Sequence, residues 1–166
     1  MRWRAGSGRR RTRRRGSCTL SPIPGFAAWV RAGAVCDGLP PTRQQHLDEA
    51  RTTLDAAFGG DLNRLANAPV LRTLPEAVGQ ALTRLAAVYL AGVSPTPQGD
   101  PVARFHLDNG ARLERLNPCG DLSTKGVRQS FGMMVNYLYD LQKVEVHHEK
   151  FVRAEVAHSR AIGALL

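Results

Sequence analysis

An apolar stripe through the middle of this 166-residue chain does most to limit its fold. Leu74, Val78, Leu82 and Leu85, with Ala81 and Val88, recur at three- and four-residue spacing. That period is helical, and it predicts a helix from Pro75 to Ala91 with one broad face to bury. A helix so patterned needs a second layer against it, which the rest of the chain must provide. Thr42 to Phe58 repeats the pattern through Leu47, Ala50, Leu54 and Ala57, and Gly59-Gly60 ends it. Short helices are expected from Phe26 to Arg31, from Asp61 to Ala66 and from Thr124 to Ser130. Leu141 to Leu166 reads as helix, broken near Arg153. Met133 to Tyr139 has the composition of a buried strand.

The segment DPVARFHLDNGARLERLN, Asp100 to Asn117, reads as a β-hairpin turning at Asp108-Asn109-Gly110. Asn and Gly tolerate positive φ, which such turns require. A three-residue loop would pair Val102 with Leu116, Arg104 with Glu114 and Phe105 with Leu113. Opposite charges then face each other on one side, and apolar side chains on the other. Alternation puts His106 beside Val102 and Arg104 on the polar face, and turns Ala103, Phe105 and Leu107 to the core. On spacing alone, a solvated or hydrogen-bonded histidine is the commoner reading, and an acid–base histidine is the other. Helices, a strand pair, a helix, a strand and a helix follow in order, an α+β (mixed α/β) pattern with a small sheet flanked by helices.

The formal charge of +9 at first suggests a polyanion partner. Its distribution argues against that for the folded part. Arg2, Arg4, Arg9, Arg10, Arg11, Arg13, Arg14 and Arg15 precede the first acidic residue, Asp37, and removing these eight from +9 leaves +1. The arm, residues 1–18, has too little apolar surface to fold and is expected to be disordered. Three roles compete for it: non-specific contact with nucleic-acid phosphates, an organellar transit peptide, and an incidental leader ahead of the domain. The third is preferred, because the arm lacks the apolar face of a transit peptide and the patterned sequence starts abruptly near Thr19.

Cys18, Cys36 and Cys119 have no CxxC spacing, so reduced thiols in a cytoplasmic protein are expected. No apolar run is long enough to cross a bilayer, and no membrane partner is expected. Glu145, His147, His148, Glu149 and His158 lack an HxxxH spacing and read as a solvated helix face, not a metal set. Gly92 to Gly99 lacks the spacing of a nucleotide-binding loop.

Three separated stretches resemble the malonyl-CoA decarboxylase family. They are LSPIPGF from Leu20 to Phe26, the DPVARFHL…RLN segment above, and GMMVNYLYDL from Gly132 to Leu141. The resemblance runs from about Thr19 to Leu166, read as the C-terminal part of a catalytic domain. It implies a partial GNAT acetyltransferase-like fold. It also implies decarboxylation of malonyl-CoA to acetyl-CoA and CO2, with malonyl-CoA as the partner and with no organic cofactor or metal. The family's catalytic serine falls on Ser21 and its catalytic histidine on His106, both against the substrate, and a tyrosine lining the site falls on Tyr139. These residue types suit the chemistry, since losing CO2 leaves a thioester enolate whose carbon must be protonated. The chain departs from the family where Pro118-Cys119-Gly120 stands in place of a tryptophan and an alanine. The family's helical domain and CoA-pyrophosphate loop have no counterpart, so an impaired fragment is expected. A non-catalytic polyanion- or nucleic-acid-binding protein working through the arginine arm is the alternative, and a homo-oligomer is compatible with either.

Overall fold

The two helices with the clearest stripes pack against each other. In the computed structural model, which describes residues 16–166, α2 (Pro41–Phe58) lies on α4 (Glu76–Val88). Between them stand a 3₁₀ turn (Leu62–Leu65) and α3 (Ala68–Arg72). Leu47, Ala50 and Leu54 of α2 meet Val78, Ala81, Leu82 and Leu85 of α4 in one core. Ala57 faces solvent, and Phe58 takes the inward position instead. The helix does not reach Ala91 in α form: after Val88 it widens into a π turn, Tyr89–Val93.

The remaining elements surround a three-stranded antiparallel sheet in the order β1-β3-β2. Its strands are β1 (Gly16–Pro22), β2 (Arg112–Asn117) and β3 (Met134–Asp140). Helices α1 (Phe26–Arg31), α5 (Pro101–Asp108), α6 (Thr124–Ser130), α7 (Val144–Val152) and α8 (Arg160–Gly163) complete the fold. The α+β expectation of a small sheet flanked by helices holds. Helices α1 and α6 have the boundaries the sequence suggests, and the strand expected at Met133 to Tyr139 is shifted by one residue. The outer edge of β2 is covered by the segment before α8: the Leu113 amide donates to Ala157, and the Ser159 amide to Leu113, at 2.9 and 2.8 Å. The helix expected over the last 26 residues is therefore two short helices joined by an extended stretch.

The hairpin expectation fails. Residues 101–108 are helix, and only 112–117 are strand. None of the expected cross-strand pairs forms: Leu113 pairs with Tyr137, Leu116 with Val135, and Glu114 sits in a bulge where it holds Arg112 at 2.8 Å. Asp100-Pro101 is a helix start, with the Asp100 side chain capping and proline in the first turn. Ala103 and Leu107, four residues apart, are the buried positions of that helix, while Phe105 is 64% exposed. Asn109-Gly110 ends the helix, with Gly110 at φ 83°, instead of turning a hairpin. His106 therefore stands on a helix and not on a strand face.

A further correction concerns the start of the domain. Ser21 lies within β1, and the N-cap of α1 is Gly25. The disordered arm was expected to reach residue 18, yet 16–18 are strand, paired with 138–140. Residues 1–15 lie outside the described residues. Among the described residues no helix is long and apolar enough to cross a membrane.

Candidate active site

Three elements bring the site together. The register pairs Ser17 with Tyr139, Thr19 with Tyr137 and Ser21 with Val135, so these side chains share one face of the sheet. Helix α5 packs beside that face and presents His106 between β1 and β3. Ser21 Oγ lies 3.2 Å from His106 Nε2, and Tyr139 Oη lies 2.7 Å from His106 Nδ1. Three residues from sequence positions 21, 106 and 139 thus form one hydroxyl–imidazole–hydroxyl chain.

The ring is held from a third side. Tyr137, fully buried, stacks on His106 with centroids 4.3 Å apart and planes 17° from parallel. Tyr137 and Tyr139 are two apart in one strand, so both face the imidazole. Neither was singled out by composition, and Tyr137 was missed altogether. The NYxY alternation was the available signal.

Burial sets the protonation states. It lowers the His106 pKa below the ordinary 6.5, so the imidazole is neutral at pH 7. It raises the Tyr139 pKa, so the phenol keeps its proton. Among the described residues both ring nitrogens meet hydroxyls and not carboxylates. Two proton arrangements satisfy the chain. Either the Tyr139 hydroxyl donates to Nδ1 and Nε2–H donates to Ser21, or Nδ1–H donates to Tyr139 and the Ser21 hydroxyl donates to Nε2. Moving between them passes one proton along the chain, which is what an acid–base centre must do. Ser21 is 5% exposed, whereas His106 and Tyr139 are part-exposed and give the chain an outlet to solvent.

Asp100 is the second residue that sequence reading missed. It is buried below α5, and its carboxylate accepts the amides of Val102, Ala103 and Gly25. Burial raises its pKa, opposed by those three amides. The Asp-Pro pair was the available signal. His147 and His148 serve structure here: their Nδ1 atoms meet the carbonyls of Gly110 and Asp108.

Comparison with known proteins finds malonyl-CoA decarboxylases. The family model described as malonyl-CoA decarboxylase C-terminal domain matches residues 12–166, so the match begins inside the arginine arm and not at Thr19. A mitochondrial malonyl-CoA decarboxylase of Anser anser anser is 36% identical over 134 residues, covering 75% of this chain and 26% of that protein. The crystal structure of malonyl-CoA decarboxylase from Cupriavidus metallidurans superposes with a TM-score of 0.69 at 36% identity, covering 90% of this chain and 38% of that one. That from Rhodopseudomonas palustris gives 0.63 at 40% identity, covering 89% and 32%. The chain spans about a quarter to two fifths of the length of these relatives.

Proposed function

We propose, from the premise that this chain belongs to the malonyl-CoA decarboxylase family, that Ser21, His106 and Tyr139 form the acid–base centre of a malonyl-CoA decarboxylase. The observation that carries the reading is the unbroken hydrogen-bonded chain from Ser21 through His106 to Tyr139. The substrate is a malonyl thioester. Its carboxylate C–C bond breaks, CO2 leaves, and the electron pair moves into the thioester carbonyl as an enolate. The α-carbon then takes one proton and acetyl-CoA results. Ser21 stands where it can hydrogen-bond the departing carboxylate or hand on a proton. His106 supplies the proton, and Tyr139 holds Nδ1 and returns a proton from solvent. A neutral imidazole suits this work, because the thioester enolate is far more basic than imidazole and needs no imidazolium to protonate it. One proton is consumed per turnover.

The cytoplasmic expectation belongs to the same reading. Cys18, Cys36 and Cys119 are all free thiols, which suits a reducing compartment. The test is conversion of malonyl-CoA by the whole chain, with acetyl-CoA and CO2 both measured. His106→Ala is expected to abolish it, and full activity in that variant would overturn the mechanism. The alternative, a polyanion-binding protein, predicts salt-sensitive DNA binding that vanishes when residues 1–15 are deleted.

A further inference from the structure

We propose that Asp100 is the positioning residue that sets the Ser21–His106 distance, by tying the chain behind Ser21 to the helix that carries His106. The proposal rests on the reading of those two side chains as an acid–base pair. Asp100 is 1% exposed, and its two carboxylate oxygens serve different elements. Oδ1 accepts the amides of Val102 and Ala103 at 2.9 and 3.0 Å and so caps α5. Oδ2 accepts the amide of Gly25 at 2.8 Å. Gly25 stands four residues after Ser21, and His106 stands six residues after Asp100. One carboxylate therefore fixes both sides of the Ser21–His106 contact.

A helix cap alone does not need this arrangement. An N-cap works through one oxygen and is ordinarily solvated. Burying a carboxylate costs desolvation, which three amide donors and the N-terminus of α5 must offset. The crossing is also tight. A Cβ on Gly25 would run into the Tyr89 hydroxyl and come within 3.2 Å of Asp100 Oδ2, so the loop approaches as closely as glycine allows. Among the described residues Asp100 hydrogen-bonds only backbone amides, which makes it a positioning residue and not a catalytic one.

Asp100→Asn and Asp100→Ser separate the two duties. Asn still caps α5, but its amide then faces the Gly25 amide, donor to donor. Ser also caps, but it is too short to reach Gly25. Both are made in the full chain and read by three measurements: NMR titration of the His106 ring, the urea midpoint, and malonyl-CoA turnover. The His106 titration is expected to move up towards the ordinary 6.5 as the ring loosens. Turnover is expected to lose about 10- to 100-fold in kcat, with KM nearly unchanged. Ser123→Ala removes the α6 cap and the hydroxyl's contact with the Asp121 carboxylate, and is expected to lower stability without moving either His106 or kcat. The proposal is overturned if both Asp100 variants leave the His106 titration as in the wild type, or if Ser123→Ala shifts it equally. Failure of both variants to fold would overturn it too, since Asp100 would then be a folding determinant. A wild-type chain that does not turn over malonyl-CoA would sink the decarboxylase reading, and the His106 titration alone would still decide on Asp100.

Discussion

Tyr137→Phe should make this protein more stable. The Tyr137 hydroxyl is sealed from solvent and has no hydrogen-bond partner among the described residues. Burial, with the Asp100 carboxyl as the next contributor, holds its pKa well above 10, so the group is a neutral and unsatisfied phenol. Leaving such a hydroxyl buried costs about 1–3 kcal/mol. The void left by one oxygen returns about a few tenths of a kcal/mol. A net gain of about 1–2 kcal/mol follows. For a chain of this size that raises Tm by roughly 2–8 °C, at about 2–4 °C per kcal/mol. The ring itself is unchanged, so the 4.3 Å stack on His106 survives and turnover should stay within about twofold of wild type. Urea denaturation followed by circular dichroism reads the difference in midpoint, provided the slope is unchanged. A variant less stable than wild type by about 1 kcal/mol or more would refute the reasoning, because the hydroxyl would then have a hidden partner.

Other consequences can be measured with the same equipment. Burial lowers the pKa of both His106 and His147 below 6.5, so on acidification the unfolded chain takes up protons that the native state refuses. Stability should be flat above pH 6.5 and fall as pH drops below it, and His147→Gln should reduce that slope. Stability independent of pH between 5 and 7.5 would contradict the shifts. Gly110→Ala should cost more than about 2 kcal/mol, because φ is 83° there and a Cβ would meet the Val144 carbonyl. A urea midpoint within error of wild type would show that the turn after α5 is free to move.

The helices with long apolar periods could be read from the sequence because their period is set by the core they share. Leu47, Ala50 and Leu54 face Val78, Leu82 and Leu85, and no local signal competes with that pattern. The segment from Asp100 to Asn117 is different. Asn109-Gly110 supplies positive φ, which a hairpin turn and a helix end both require, so the dipeptide does not choose between them. The choice is made by Asp100-Pro101 at the other end, where a cap and a first-turn proline start a helix. Ala103 and Leu107 then bury at a spacing that eight residues are too few to make conspicuous. Strand β1 was hidden for another reason. Its small polar residues, Ser17, Thr19 and Ser21, gain their strand character from pairing with β3, more than a hundred residues away. The three residues proposed for the site stand out in the sequence as motifs, but their spatial relation does not. His106 reaches Ser21 and Tyr139 because a helix, and not a hairpin, carries it across the sheet.

The most direct measurement is the turnover of malonyl-CoA by His106→Gln beside the wild-type chain, with acetyl-CoA and CO2 both quantified. A glutamine side chain can keep hydrogen bonds to Ser21 and Tyr139, so the fold and the urea midpoint should hold. It cannot exchange a proton at neutral pH, so turnover should fall by about 10²–10⁴-fold, the usual contribution of a general acid or base. If the glutamine variant folds normally and converts malonyl-CoA at the wild-type rate, His106 does not carry the proton.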